Sequence, residues 1–159
     1  MALAEDRRSD METLFQMITT LSAGLFAGAA IYINLVEHRA RTGCGTDIAV
    51  TEFGASYKIG AVFMGSLLTA GFAAATAAWL TGSSGWWFIG GCVLVSLIPY
   101  TLFFVLPINK RLLDTSLQKD SDLASNLLSR WGKLHAIRSF IGLASFLIFT
   151  FLLIRSASR

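Results

Sequence analysis

The sequence predicts an all-α, polytopic membrane protein: a bundle of four transmembrane helices with a partly helical loop between helices 3 and 4. Of the 159 residues, 54% are hydrophobic and 14% are charged, whereas about a quarter are charged in typical soluble domains. The apolar residues also form long blocks instead of recurring at helical or strand intervals. A soluble core of this size could not bury so much apolar surface, so we expect one membrane domain over residues 1–159 in contact with the lipid bilayer.

Four apolar blocks place the predicted spans at about residues 14–36, 59–80, 86–106 and 135–154. The first block is longer than the apolar core of a signal peptide and has no clear cleavage site after it, so we expect it to remain as a spanning helix. A short turn joins the second and third spans, which predicts that they are antiparallel neighbours. Pro99 lies inside the third span and predicts a kink or local opening, because proline lacks a backbone N–H.

Two polar segments, 42–57 and 107–134, connect the remaining spans. We expect the first to be a loop with at most a short surface helix. In the second, leucines recur at helix-like intervals between Leu112 and Arg130, which indicates an amphipathic helix partly in the membrane interface. The fourth helix is expected to start near Trp131.

The distribution of positive charge predicts the orientation. Four spans put both termini on one side and the two polar segments on the other, and the segment side carries the larger share of the lysines and arginines. The positive-inside rule therefore predicts cytoplasmic loops at 42–57 and 107–134 and non-cytoplasmic termini. The net charge of +3 reflects this topology, and no nucleic-acid partner is expected, because the charges flank apolar runs instead of forming a dense patch.

Two motifs with the only histidines of the chain lie at the loop-side ends of the first and fourth spans. Residues at positions i, i+4 and i+7 share one face of an α-helix, and Asn109 ends the third span at the same level. The sequence therefore predicts one polar pocket near the membrane boundary. The residues with this spacing are Asn34, His38 and Arg41 in the first motif and Trp131, His135 and Arg138 in the second.

Several chemistries fit two histidines in such a pocket. His38 and His135 are the candidates for a metal or haem site, although no His-x-x-x-His or Glu-x-x-His pair occurs and Glu37 points away from its neighbour His38 on a helix. The third chemistry is metal-free base catalysis, in which an imidazole takes a proton and Arg138 stabilises the resulting anion. The cofactor content is therefore left open.

Three segments together resemble the DUF1772 family, a family of small four-helix membrane proteins that is also called anthrone oxygenase-like. The resemblance covers nearly the whole chain, including the order of the spans and the long third loop. One departure is Arg39, where a proline is expected after the histidine. The segments are Asn34-Leu35-Val36-Glu37-His38-x-Ala40-Arg41, Pro107-x-Asn109-Lys110-Arg111-Leu112 and Trp131-x-x-x-His135-x-x-Arg138.

The resemblance implies a cofactor-independent monooxygenase with an apolar aromatic substrate and dioxygen as its partners. Some fungal relatives are assigned the oxidation of polyketide anthrones to anthraquinones by dioxygen, without a flavin or haem. Such chemistry needs a base and an oxyanion stabiliser in an apolar pocket that opens to the membrane. The implied catalytic residues are His135, His38, Arg138 and Asn109, and the implied substrate contacts are Asn34, Glu37, Trp131 and Arg41.

Two alternatives come from classes other than enzymes. The chain could be an accessory or assembly subunit that packs through its glycine-rich faces against another membrane protein or a second copy of itself. It could also bind an apolar ligand without turnover. In the first case the histidines and arginines make only structural hydrogen bonds between helix ends, so a cavity that joins these side chains distinguishes an enzyme from a structural subunit.

Overall fold

The computed structural model of the protein describes residues 2–158, and these residues contain helices and no strand. Four helices are long and apolar enough to cross a membrane, and we call them spans 1 to 4. The all-helical fold class with four spans is thereby confirmed, and the chain is a multi-pass membrane protein. The spans cover Glu5–Gly43, Thr46–Thr81, Trp86–Leu112 and Asp122–Ser156.

Spans 1 and 3 are interrupted by π-helical turns, whereas spans 2 and 4 are single α-helices. A π-helical turn holds one more residue than an α-helical turn and changes which residues share a face beyond it. In chain order the elements are α1 (Ala2–Tyr32), the first π-turn (Ile33–Glu37), α2 (His38–Gly43), α3 (Thr46–Thr81), α4 (Trp86–Val95), α5 (Leu97–Tyr100), the second π-turn (Thr101–Val105), α6 (Leu106–Leu112) and α7 (Asp122–Ala157).

Span 3 opens locally around its two prolines. Pro99 has no N–H to donate, and the α-helix is interrupted at Ser96, between α4 and α5. The N–H of Leu106 then bonds to the carbonyl of Thr101, five residues earlier, which closes the second π-turn. Pro107 follows directly and also lacks a donor. The two prolines therefore flank the second π-turn, and the interruption at Ser96 lies just before the first of them.

The connection between spans 1 and 2 is much shorter than the predicted loop over residues 42–57. Helix α3 begins at Thr46, so that only Cys44 and Gly45 lie outside the helices. Gly45 makes the turn with a φ of 105°. Residues other than glycine rarely adopt this backbone conformation. The polar composition suggested a loop, but Phe53 and its apolar neighbours in the first turns of α3 are buried against spans 3 and 4. This burial stabilises the helix.

The connection between spans 3 and 4 is also shorter than predicted. The fourth helix starts at Asp122 instead of near Trp131, and the hydroxyl of Ser121 caps it by accepting a hydrogen bond from the N–H of Ala124 at 3.2 Å. The preceding residues form turns, in which the N–H and hydroxyl of Ser116 donate to Asp114 and hold the pKa of that carboxyl below its usual range.

The leucine-rich part of the predicted interfacial helix therefore belongs to the beginning of α7. Its apolar face covers the first turns of α3 and the end of span 3 instead of lying on the bilayer. The buried positions recur at i, i+3, i+4 and i+7, the spacing of one helical face. They are Ala124, Leu127, Leu128 and Trp131.

Close helix contacts dominate the opposite end of the bundle, where spans 2 and 3 meet at their short turn. Gly90 of α4 faces Phe149 of α7, which is completely buried and stacks on Trp87 with ring centroids 5.6 Å apart. The hydroxyl of Ser83 in the turn bonds to Glu12 and accepts from Gln16, so span 1 is held against the same turn. Glycine at position 90 is needed for this approach of spans 3 and 4.

We predict that Gly90→Ala destabilises the bundle. A Cβ at this position would lie 2.7 Å from Cε1 of Phe149, which has no free space to move into. We expect the free energy of unfolding in detergent to fall by about 1–3 kcal/mol. The matched control is Gly28→Ala, because a Cβ on Gly28 meets nothing within 4 Å. Equal melting temperatures for the two variants would contradict the close contact.

Candidate functional site

A cavity of about 500 Å³ lies among all four spans, in the half of the bundle that is nearer to the loops. Its volume falls within the range of about 300–1,000 Å³ that is typical of small-molecule sites. Most of its wall is apolar and comes from spans 2 and 3. Its polar side chains are Glu37, Arg41, Ser56, Tyr57, Thr101, Asn109, His135 and Arg138.

The cavity brings together most of the residues that the sequence singled out. Two of them, His38 and Asn34, are not part of its wall. Five of the predicted site residues in the wall, all except Glu37, are buried to at least nine tenths. The predicted site residues in the wall are Glu37, Arg41, Asn109, Trp131, His135 and Arg138.

Span 4 holds the imidazole of His135 in a fixed place. The side chain is 2% exposed and stacks on Trp131, one turn earlier, with ring centroids 4.7 Å apart and planes 26° apart. One turn later, the hydroxyl of Ser139 donates a hydrogen bond to the carbonyl of Ala30 in span 1 at 2.9 Å. This bond fixes span 4 against span 1 at the level of the cavity.

Arg138 points its guanidinium over the ring of Phe26, at 5.6 Å from the guanidinium carbon to the ring centroid. Gly142 makes room for this ring, because a Cβ there would lie 2.8 Å from it. Among residues 2–158, no carboxylate forms an ion pair with Arg138. A buried cation in a transmembrane helix is costly and is normally paired, so the cavity is positively polarised at this wall.

Apart from Arg41, whose Nε faces Glu52, three side chains in the cavity wall contain a buried polar atom without a hydrogen-bond partner in the described structure. These atoms are Oδ1 of Asn109, Nδ1 of His135 and Nε of Arg138. Each such atom costs about 1–3 kcal/mol, and most buried polar atoms in native proteins have a partner. Three of them around one cavity are not expected of a purely structural core. These atoms are placed to bond to a molecule that occupies the cavity.

Comparison of the sequence with known protein families tests the family resemblance that the motifs suggested. Residues 53–148 match the family described as anthrone oxygenase, which is more than half of the chain. The chain belongs to the anthrone oxygenase family. No curated protein and no solved structure matches it. The stretch that matches this family contains Asn109, Trp131, His135 and Arg138, whereas the first histidine motif precedes it.

In this anthrone oxygenase family member, an ion-pair cluster lies at the loop-side end of the cavity. The guanidinium of Arg41 donates to Glu37 of the same helix, and its Nε lies 2.8 Å from Oε2 of Glu52 in span 2, without hydrogen-bond geometry. Arg41 also lies over the indole of Trp131, at 5.8 Å. The cluster thus ties the end of span 1 to the beginnings of spans 2 and 4.

His38 packs against span 4 beside the cavity. Its ring lies 5.2 Å from that of Trp131 and approaches the backbone at Gly132, where a Cβ would come within 2.6 Å of Nε2. Both histidines therefore pack on the indole of Trp131, but only His135 lines the cavity. The first π-turn explains why Asn34 is also outside the wall, because the α-helical spacing that placed it with Arg41 does not apply across that turn.

The geometry does not place a set of metal ligands together among the described residues. Within residues 2–158, no group of three or more His, Cys, Asp or Glu side chains is placed to hold a metal ion. His38 and His135 remain the two candidate ligands, and both rings pack on Trp131.

Sequence reasoning missed several residues that shape the cavity. Tyr57 and Ser56 of α3 line it, because the segment expected to be a loop is helical. Tyr100 supports span 4 by donating to the carbonyl of Leu134 at 3.2 Å. In the sequence, these residues stand out only as polar side chains at or near the edge of an apolar block. That position does not show which helix such a side chain faces.

We predict that Arg41→Gln destabilises the loop-side end of the bundle. The change removes the cation between two carboxylates, so Glu37 and Glu52 repel each other. We expect a loss of about 1–3 kcal/mol in the free energy of unfolding, because the carboxylates are partly exposed and the pairing is weaker than a fully buried one. Arg39→Gln on the same helix is the control, since Arg39 is exposed.

Neutralising both carboxylates tests the cause. Adding Glu37→Gln and Glu52→Gln to the Arg41→Gln variant should restore part of the lost stability. A combined variant that is no more stable than Arg41→Gln alone would rule out charge repulsion as the reason.

Proposed function

We propose that the protein is a membrane-embedded oxygenase that oxidises an acidic methylene group of a polycyclic aromatic substrate, of the anthrone class, with dioxygen. The observation that carries the proposal is the pairing of a buried imidazole with a guanidinium that has no carboxylate partner, in the wall of one apolar cavity. Membership of the anthrone oxygenase family supports it.

The walls suit a flat apolar ligand. Met64 and Leu68 of span 2 and Ile98 and Leu106 of span 3 form apolar surface, and Trp131 adds an aromatic edge. Burial of an apolar ring system in such a site contributes about 25 cal/mol for each Å² removed from water. The few polar groups would then fix its orientation, as is usual in small-molecule sites.

The first chemical step is removal of a proton from the methylene carbon. Neutral His135 is the base in this proposal, and the electron pair left on carbon is delocalised onto the substrate carbonyl oxygen. Arg138 stabilises the resulting oxyanion, and the side-chain amide of Asn109 is a second donor. Donors that are already in place where charge develops, inside an apolar wall, account for a large part of enzymatic rate enhancement.

The second step transfers electrons from the carbanion to dioxygen. A C–O bond forms and gives a hydroperoxide anion, which takes the proton held by His135. The hydroperoxide then loses water: the remaining hydrogen of that carbon leaves as a proton, the O–O bond breaks, and a carbonyl is left. The methylene and dioxygen thus become a ketone and water, and the substrate itself supplies all the electrons.

We predict that His135→Ala lowers the oxidation rate of anthrone on the order of a hundredfold or more, the usual contribution of a general base. The rate is measured as oxygen uptake and anthraquinone absorbance by the purified protein in lipid nanodiscs. The control is Ile137→Ala, a side chain of the same helix that is exposed on the bundle surface. His38→Ala should cause a smaller loss, because His38 does not line the cavity. Full activity of His135→Ala would remove the assigned role.

Elemental analysis and an absorption spectrum of the same preparations test the alternative chemistry. A stoichiometric metal or haem that is lost in both histidine variants would replace the base mechanism with one that depends on the bound group.

We predict that Arg138→Gln lowers kcat on the order of a hundredfold and changes KM little. The reason is that the negative charge which Arg138 stabilises develops only on the way to the transition state. Arg138→Lys should recover part of the loss because it keeps a cation without the planar fork. A change confined to KM would show that Arg138 binds the neutral substrate and does not stabilise the anion.

A further inference from the structure

The cavity wall includes residues that are exposed on the surface of the bundle, and they lie on two spans. The wall residues that are exposed are Ile59 and Ala61 of α3 and Leu102 of the second π-turn. The wall residues of spans 1 and 4 are buried or only partly exposed. The opening therefore lies between spans 2 and 3.

The packing of these two spans changes along their length. Next to their short turn they touch closely: a Cβ on Gly71 would lie 2.8 Å from Leu94, and one on Gly91 would lie 2.8 Å from Ala75. In the loop-side half, α3 makes few contacts with α5, the second π-turn and α6. The spans thus separate where the cavity begins.

Two glycines of α3 leave the gap free of side chains. Gly60 and Gly65 both line the cavity, and a Cβ on either of them meets nothing within 4 Å. They differ from Gly71, which permits close packing. Glycine in a helix interior costs about 1 kcal/mol relative to alanine, and here no contact with a neighbouring helix requires it.

The surface around the gap is apolar. Ile59 and Val62 of α3 are 75% and 74% exposed, and Phe103 of the second π-turn is 75% exposed. Such side chains face lipid in a transmembrane bundle. The loop-side end of the cavity carries the ion-pair cluster of Arg41, and an apolar solute could pass there only by desolvating charges.

We propose that the aromatic substrate enters the cavity laterally from the bilayer, through the gap between spans 2 and 3, and that Gly60 and Gly65 set the width of the ligand that passes. This inference rests on the proposed function, because that function defines a flat apolar substrate. It also assigns the two glycines a role in specificity, since the side chain at each position decides how wide a ring system is admitted.

The test compares Gly60→Leu and Gly65→Leu with the matched control Gly28→Leu. All three changes put the same side chain into open space on an apolar helix, but Gly28 does not line the cavity. A Cβ at each of the three positions meets nothing within 4 Å, and the melting temperature of each variant in detergent checks that it folds. The probe is anthraquinone, delivered from lipid vesicles to protein in nanodiscs and followed by quenching of tryptophan fluorescence.

We call Gly60→Leu and Gly65→Leu the portal variants. We expect both to take up and release anthraquinone more slowly, on the order of tenfold, which is the usual effect of a few methylene groups on passage or fit in an apolar site. Because a narrow entrance slows both directions, the Kd should stay near that of the wild type. Gly28→Leu should behave as the wild type. Wild-type rates in both portal variants would overturn the proposal, and so would a higher Kd with faster release, which indicates that leucine fills the cavity instead of narrowing its entrance.

Turnover separates this inference from the proposed function. If the wild type binds anthraquinone but does not oxidise anthrone, the oxygenase proposal fails, and the entry rates still decide the lateral route. If the wild type oxidises anthrone and the portal variants keep its rates of entry and turnover, the lateral route fails and the oxygenase proposal stands. A wild type that neither binds nor oxidises overturns both.

Discussion

The close approach of spans 1 and 4 is the constraint on which the candidate site depends. Gly132 and Gly142 of span 4 make room for His38 and Phe26 of span 1, and the Ser139 hydroxyl bonds to a span 1 carbonyl between them. His135 and Arg138 lie on the same stretch of helix, so their positions follow from this contact. In a bilayer, where helices gain no hydrophobic energy from meeting each other, such small-residue contacts and hydrogen bonds determine how helices pair.

The same environment explains why the irregular turns occur where they do. Backbone groups inside a membrane must be satisfied within the protein, so departures from α-helix are tolerated only where neighbours or a cavity surround them. Both π-turns lie at the level of the cavity, and Ile33 of one and Thr101 and Leu102 of the other belong to its wall. An extra residue per turn redirects the side chains that follow it, which is how a regular bundle obtains a shaped site.

The fold class was predictable because it depends on composition alone. Long uncharged blocks require a membrane, and four of them require a bundle. The helix boundaries were less predictable, since the burial of Phe53 and Trp131 against each other, edge to face at 5.4 Å, stabilises helix in segments whose composition suggested loops. Tertiary contacts of this kind override local preference and leave no signal in a single sequence.

The sequence indicated which residues lie near the candidate site better than it indicated which of them face the cavity. Spacing placed His135 and Arg138 on one face correctly because α7 is an unbroken α-helix through that stretch. The same reasoning did not hold for Asn34, because the first π-turn leaves no recognisable pattern in a single sequence. His38 illustrates a different difficulty: it reaches the same indole as His135, but which of two neighbouring rings faces a cavity depends on the packing at Gly132.

The two kinds of glycine in the bundle finally connect stability with function. At Gly90 and Gly142, a ring from another helix occupies the space that a side chain would take, so these glycines serve packing. At Gly60 and Gly65 nothing occupies it, and the backbone cost of glycine is not offset by a contact. Gly28 is equally open but does not line the cavity, so the position beside the cavity, and not the open space alone, carries the inference. In the proposed route, Gly60 and Gly65 let a ligand pass to the wall around Arg138, and the developing anion of the substrate would be the partner that this guanidinium lacks.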